Sequence, residues 1–246
     1  MEPAAYAEHE TYERTHWWFV GRRAVVRSLL IPAASPRPER VLSIGCGYGA
    51  ELDFLDGYAP TVGTEIEPAP LRSARAAGKH QVAMARAEAL PFAAESFDLV
   101  AMLDVLEHIA AADRALAEAR RVLSPGGHLV LTVPALKWLW SAWDVRVHHQ
   151  RRYTRRSLTA ALDAAGFRLR EMTYFNSLLL PVVAAVRLLS PARRVARPTD
   201  GNEFALGTSP WANRMLAGVL AAEAWFIRRA NLPVGVSLAA LARREP

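Results

Sequence analysis

The sequence predicts a doubly wound α/β fold, and two observations carry that reading. Seven short, apolar, β-prone runs recur at Arg40–Ile44, Thr61–Glu65, Gln81–Arg86, Asp98–Leu103, His128–Val133, Arg168–Tyr174 and Val236–Ala242, with helical patterns between most of them. Strands and helices alternating at this spacing make a parallel sheet with right-handed crossovers, and they leave the carboxyl ends of the strands as the ligand edge. The first run also enters Gly45-Cys46-Gly47-Tyr48-Gly49. A buried strand ending in closely spaced glycines brings its backbone against a ligand, because glycine has no Cβ to clash there.

Taken in order, residues 1–30 read as a helical preface containing His16-Trp17-Trp18-Phe19-Val20-Gly21-Arg22-Arg23, an aromatic run that needs a surface to cover. After the glycine loop, Glu65 closes the second strand. An acid about 20 residues beyond such a loop is placed to hydrogen-bond a ribose hydroxyl pair. A helix is predicted over Ala112–Leu123, where Leu116 and Arg120 lie one turn apart and Pro125-Gly126-Gly127 stops it. Another follows Thr154, its expected N-cap, and stops at Gly166. Residues 134–153 and 176–233 are additions to the sheet. The second is long for a connection in a compact domain and reads as two helices flanking a polar loop from Pro191 to Pro210.

With 246 residues, 52% of them apolar, the chain is expected to form one domain, 1–246, around one substantial core. Its single cysteine, Cys46, excludes an internal disulfide framework and fits a reducing cytoplasm. Glu2, Glu8 and Glu10 stand where a secretory leader needs basic and apolar residues. The longest apolar run, Leu178 to Leu189, contains Pro181 and Arg187 and is too short to span a bilayer. A cytoplasmic protein, soluble or peripheral to the membrane, is expected. The net charge of +6 is unevenly spread: residues 1–145 carry −4 and residues 146–246 carry +10. The basic half should face something anionic.

The spacing Gly45-x-Gly47-x-Gly49, followed by Ala50-Glu51-Leu52, departs from the dinucleotide fingerprint G-x-G-x-x-G, whose third glycine sits inside the helix. Further along come Ala87-Glu88-Ala89-Leu90-Pro91-Phe92, Ser96 to Met102, Leu106-Glu107-His108-Ile109 and Arg121 to Leu131. In this order the segments resemble the successive motifs of the class I S-adenosylmethionine (SAM) dependent methyltransferases, in the UbiE/UbiG-like, type 11/12 group. The resemblance covers roughly residues 16–175. It implies a Rossmann-like, seven-stranded, mostly parallel sheet whose last strand is antiparallel, with SAM as cofactor. It also implies that the glycine loop (Gly45, Cys46, Gly47, Gly49) underlies the methionine moiety. Glu65, followed by Ile66, is then the ribose ligand, and Ala87 and Glu88 contact adenine. Cys46 reads as a small filler beside the cofactor rather than a nucleophile. In related enzymes an N-terminal segment lies over the pocket, which makes Arg22 the candidate partner of the methionine carboxylate and places Trp18 toward the acceptor. Two positions depart from the family: Ser43 stands where it usually has Asp, and Arg86 stands where an Asp often accepts the adenine amino proton.

Acceptor chemistry is expected in Trp138 to Tyr153, which concentrates aromatic, acidic, imidazole and guanidinium groups. Its D-x-x-x-H-x-x-R-R-Y arrangement resembles a subgroup found among bacterial cell-envelope and secondary-metabolism enzymes. His148 or His149 is the candidate base, with Asp144 fixing its tautomer. Arg151 and Arg152 are candidate anchors for a carboxylate or phosphate, and Tyr153 orients the acceptor or caps the helix. The competing reading is a structural network in which Asp144 pairs with Arg151 or Arg152 to hold the loop. Asp104, at the carboxyl end of the fourth strand, is a second base and a cofactor contact by position. His108 reads as structural or cofactor-adjacent. No metal site is expected, because no H-x-x-x-H pair occurs, Cys46 is alone, and the adjacent His148 and His149 point apart on a regular element.

These readings give a SAM-dependent methyltransferase acting on a small-molecule or lipid-like, anionic acceptor. Arg193, Arg194 and Arg197 after the apolar run suit an anionic headgroup and peripheral membrane contact. The 176–233 insertion is expected to set acceptor choice. Two alternatives remain open. One is a methyltransferase fold that uses SAM structurally, for a cyclisation, a rearrangement or a noncatalytic partnership, as Ser43 and Arg86 suggest. The other is a nucleic-acid methyltransferase, prompted by the basic half, although no Asn/Asp-Pro-Pro-Tyr motif is present and nucleic acid is not the expected partner.

Overall fold

The computed structural model describes residues 13–33, 37–76, 78, 81–189 and 209–245. The first half contains α1 (Trp17–Ala33), β1 (Val41–Ile44), α2 (Ala50–Leu55), β2 (Thr61–Glu65), α3 (Pro68–Ala76), β3 (Gln81–Met84), β4 (Phe97–Leu103) and α4 (Ala112–Val122). There follow β5 (Leu123–Pro134), α5 (Ala142–Arg146), α6 (Arg155–Ala164), β6 (Phe167–Phe175), α7 (Leu180–Leu189), α8 (Pro210–Ile227) and β7 (Ser237–Arg244). Single 3-10 turns sit at Leu106–His108 and Lys137–Leu139.

The seven strands form one sheet in the order β3-β2-β1-β4-β5-β7-β6. The first five run parallel, while β7 is antiparallel to both β5 and β6. Strand order reverses between β1 and β4, and the crevice beyond the carboxyl ends of those two strands is where such sheets take ligands. Side chains alternate across the sheet as strand geometry requires. On β4, Val100 and Met102 enter the core with Leu116, Leu158 and Leu162 of α4 and α6, whereas Leu99, Ala101 and Leu103 enter the opposite core with Val25, Leu29, Ala224 and Ile227 of α1 and α8. Each α-helical layer therefore covers one sheet face.

The preface is held by the insertion. The α1 helix packs along α8 and crosses it at Gly21, where a Cβ would run into the Leu220 side chain. Ser28 Oγ donates to Ala224 O at 2.7 Å, and Asn213 Oδ1 accepts from Trp17 N at 2.7 Å. Ser209 caps α8 by accepting from Ala212 N, with Pro210 in the first turn, where its missing N–H leaves no bond unmade.

Most strand boundaries shift by one or two residues, and β5 shifts further. The β5 strand begins at Leu123 rather than His128 because Phe97 pairs with Leu123 and Leu99 with His128, so Pro125-Gly126-Gly127 forms a bulge inside the strand, with Gly126 at φ 79°. The β3 strand stops at Met84, and Arg86 turns back to bridge Ala89. The N-cap at Thr154 is present, accepting from Ser157 N, and Gly166 follows α6 at φ 77°. Residues 1–12, most of the Pro191–Pro210 loop, and Arg193, Arg194 and Arg197 lie outside the described residues.

Candidate functional site

A cavity of about 570 Å³ opens at the carboxyl ends of β1, β2 and β4, with the N-terminal turn of α1 over it. Its first half is made largely of backbone. Gly45 and Cys46 both donate to Thr64 O, at 2.8 and 3.0 Å, tying the loop to β2. Glu65 then spans the loop and its own strand end: Oε2 accepts from Gly47 N at 3.0 Å, and Oε1 accepts from Ile66 N and Glu67 N at 2.8 and 3.1 Å. Gly45 and Gly47 have φ values of 70° and 55°. A Cβ on Gly45 would stand 2.6 Å from Val105 Cγ2, and one on Gly47 would stand 3.0 Å from Glu13 Oε1, so both positions require glycine. Gly45, Gly47, Glu65, Ile66, Ala87 and Glu88 all line the cavity.

Two loop residues named from the sequence do not line it. Cys46 turns beneath the loop, its Sγ 2.7 Å from where a Cβ on Gly63 would lie, and burial, with the Glu65 and Glu13 carboxylates, pushes its thiol up to about 12. Gly49 serves α2 instead, as its left-handed N-cap at φ 99°. Cys46 packs against Gly63 of β2, whereas Gly49 is favoured by its left-handed backbone and not by crowding. Arg86 is exposed and donates to Glu88 Oε1 at 3.1 Å, so its charge is met by a cavity acid.

Arg22 is the hub beneath α1. It is 4% exposed and donates to Glu51 Oε1 at 2.8 Å, Asp104 Oδ2 at 2.6 Å and Leu103 O at 3.1 Å. Burial would lower its pKa, but Glu51 and Asp104 more than reverse that and keep it charged. Two carboxylates already pair with the guanidinium, which also lines the cavity. Asp104 is equally engaged, accepting also from Thr132 Oγ1 at 2.8 Å and Trp18 Nε1 at 3.3 Å, so a base role conflicts with its contacts. Trp18 lines the cavity and stacks on Phe175, with centroids 5.5 Å apart.

Sequence reasoning missed Glu13. It is 6% exposed, lines the cavity and accepts from Tyr48 N at 3.1 Å. Burial and then repulsion by Glu51 push its carboxyl up to about 8, despite Arg22 and Arg23. Nothing in its local sequence marks it, since only the fold brings it over Gly47.

The second half is a side-chain network around Asp144, which is fully buried. Asp144 caps α5 by accepting from Ser141 N at 2.8 Å, accepts from Arg152 Nε and Nη2 at 2.8 and 2.9 Å, bonds His149 Nδ1 at 2.8 Å, and lies 3.7 Å from Arg187 Nη1. Burial alone would raise the Asp144 carboxyl, but the His149 hydrogen bond and the Arg152 guanidinium hold it well below the usual carboxylate range. Arg152 also donates to Ala135 O at 3.0 Å, which braces the loop. Arg151 lies off the cavity, donating to Ala110 O at 2.8 Å. Tyr153 joins the core, where burial pushes its phenol up to about 12, and its backbone pairs with Pro134 and Leu136. The Asp144–Arg152 pair is the structural network that the sequence offered as the competing reading; Arg152 also lines the cavity, whereas Arg151 and Tyr153 do not. His148 lines the cavity but is exposed, at φ 57°.

Asp144 Oδ1 meets the His149 ring at Nδ1, 2.8 Å away. An ionised carboxylate only accepts, so Nδ1 carries a proton, and in the neutral ring Nε2 holds the lone pair. That Nε2 lies 3.9 Å from Glu107 Oε1. His108 is beside it, with ring centroids 4.7 Å apart. Burial and then the neighbouring His149 lower His108 to about 3, whereas burial and then Asp104 raise Glu107 well above its ordinary value. Glu107, His108 and His149 place ligand atoms within 4.8 Å of one another. Such a convergence of possible ligand atoms has no counterpart in the local sequence pattern. Local spacing hid it, because Glu107 and His108 come from the turn after β4 and His149 follows α5, joined by the Gln150 N to Glu107 O bond at 2.8 Å. Asp104, His148 and Asn176 line the cavity in left-handed backbone, strain of a kind that gathers at functional sites.

Such a sheet, with a glycine loop and a strand-end acid at its switch point, defines the class I methyltransferase fold. The chain belongs to the class I SAM-dependent methyltransferase family, and residues 42–131 match the family described as Methyltransferase domain. It is 35% identical over 161 residues to malonyl-[acyl-carrier protein] O-methyltransferase of Methylococcus capsulatus, covering 59% of this chain and 58% of that one. It is 35% identical over 125 residues to the ubiquinone/menaquinone biosynthesis C-methyltransferase UbiE of Acidiphilium cryptum, covering 44% and 50%. The chain thus spans little more than half the length of these curated relatives. In fold it is similar to a Haloferax volcanii protein solved in complex with the Trm112 methyltransferase activator, with a TM-score of 0.64, 19% identity and coverage of 99% and 96%.

Proposed function

We propose that the protein transfers a methyl group from SAM to a small-molecule or lipid-like acceptor. The observation that carries this reading is the single cavity that joins a glycine-cradled, acid-flanked half to a half with a carboxylate-oriented imidazole. The glycine cradle suits the cofactor, because Gly45 and Gly47 line the cavity in left-handed backbone and leave its floor without side chains. When bound, SAM supplies an electrophilic methyl group on its sulfonium. Glu65 would hold the ribose hydroxyls, and Ile66, Ala87 and Glu88 would hold the adenine. Glu13 would meet the ammonium group in place of the acid absent at Ser43. Arg22 fixes Glu51 and Asp104 at the junction of the two halves, and Trp18 closes the cavity against water.

On the acceptor side, His149 presents the Nε2 lone pair needed to take a proton from an acceptor hydroxyl or carboxylic acid. Val183 and Val186 of α7 give that side an apolar wall, which supports an acceptor with an aliphatic or aromatic portion and a role for the insertion in choosing it. The exposed Val182, Trp211 and Trp225 of α7 and α8 fit peripheral contact with a lipid surface. No helix among the described residues is long and apolar enough to cross a membrane. The test is incubation with SAM and a panel of carboxylate- and hydroxyl-bearing acceptors, each with and without an alkyl chain. One acceptor should gain a methyl group in step with S-adenosylhomocysteine release. Methylated product in no case, with the cofactor bound, would contradict the transfer reading and favour a structural use of SAM.

A further inference from the structure

We infer that Glu107, His108 and His149 bind a divalent transition-metal ion of the zinc class, with open positions facing the acceptor half of the cavity; the acceptor's place in that half rests on the function proposed above. Glu107 is 1% exposed, lines the cavity, and its Oε2 has no protein hydrogen-bond partner. A buried carboxylate oxygen without a partner is costly, and a cation supplies the missing interaction. Its Oε1 is too far from His149 Nε2, at 3.9 Å, for a hydrogen bond. A zinc ion with bonds of about 2.0–2.2 Å sets its ligand atoms roughly 3.4 Å apart, so three atoms spread over 4.8 Å converge on one ion by closing about 1.4 Å at most.

The surroundings orient one of the rings as metal-bound imidazoles are oriented. A ligating histidine offers one nitrogen to the ion and gives its other N–H to a carboxylate or a backbone carbonyl. Of the two rings, His149 meets this pattern, its Nδ1 bonded to Asp144 at 2.8 Å. Two imidazoles and one carboxylate leave at least one coordination position for water or substrate. An acceptor carboxylate or ionised hydroxyl bound there would meet the positive charge of the ion. The ion would favour the deprotonated oxygen as a Lewis acid. With the ion in place the His149 Nε2 lone pair is taken up as a ligand, and the ion, by favouring the deprotonated oxygen, replaces the proton acceptor proposed above for the metal-free site.

The test is titration of the chelator-treated full chain with Co²⁺, read by its visible d–d absorption, with displacement by Zn²⁺. One equivalent per chain is expected, with affinity reduced at least tenfold in Glu107→Gln and in His108→Gln, and a spectral change on adding malonate as a carboxylate probe. S-adenosylhomocysteine titration of the same samples should give unchanged affinity, so loss of cobalt uptake and loss of the cofactor site are read separately. No stoichiometric uptake by the wild type, or equal uptake by both variants, would overturn the site. Should either variant fail to fold, diethyl pyrocarbonate mapping of the wild type decides: Zn²⁺ must protect His108 and His149, and their unchanged modification would refute the assignment.

Discussion

The two halves of the cavity are built by different means. On the β1–β2 side the surface is set by backbone: glycines in left-handed turns and one acid, Glu65, bonded to three amide N–H groups. On the β4–β5 side it is set by buried charges that depend on one another, with Asp144 held by Arg152, His149 and Ser141. A backbone-built surface tolerates loss of one contact and keeps its shape. A charge network does not, because each member is the desolvation partner of another.

The largest expected effect is therefore on the second side. Asp144→Asn leaves Arg152 and Arg187 buried without their countercharge, and breaking such a pair costs about 3–5 kcal/mol, read by urea unfolding. The wild-type carboxyl is depressed in the folded state, so its contribution is present above its ordinary value of 3.8 and is lost as pH falls through the lower folded value. Asp144→Asn should lack that acid-side loss. Equal stability of variant and wild type at neutral pH would break the comparison.

Next comes Glu65→Ala, which should weaken S-adenosylhomocysteine binding by roughly tenfold or more, since bonds to a charged acceptor are worth about 1.5–3 kcal/mol each. Its unfolding free energy should change less than that of Asp144→Asn. Glu13 sharpens the contrast through protons. Its carboxyl is raised to about 8, so it is protonated at pH 7 and must release a proton to meet an ammonium. Calorimetry at pH 7 in buffers of different ionisation heat should show release of about one proton, abolished in Glu13→Gln. The smallest effect belongs to Arg86→Ala, whose ion pair with Glu88 is solvent-exposed on the arginine side; its stability should shift by under about 1 kcal/mol in thermal unfolding.

Legibility follows the same division. The glycine loop, Glu65 and the seven strands were readable because turns and strand periodicity are local properties, and even the β5 boundary failed only where a bulge absorbed Pro125 to Gly127. The D-x-x-x-H-x-x-R-R-Y segment was readable as chemistry but not as roles. Which arginine is a brace and which histidine is oriented depends on where α5 and the turn after β4 meet. Glu13, and the convergence of Glu107 and His108 with His149, were hidden because their partners lie 35 to 42 residues away in sequence.

Calorimetric titration with S-adenosylhomocysteine, with NADH as control and Glu65→Ala alongside, tests the central claim most directly. The account requires micromolar binding by the wild type, at least a tenfold loss in the variant and no heat from NADH. Absence of S-adenosylhomocysteine binding by a folded wild type would contradict it.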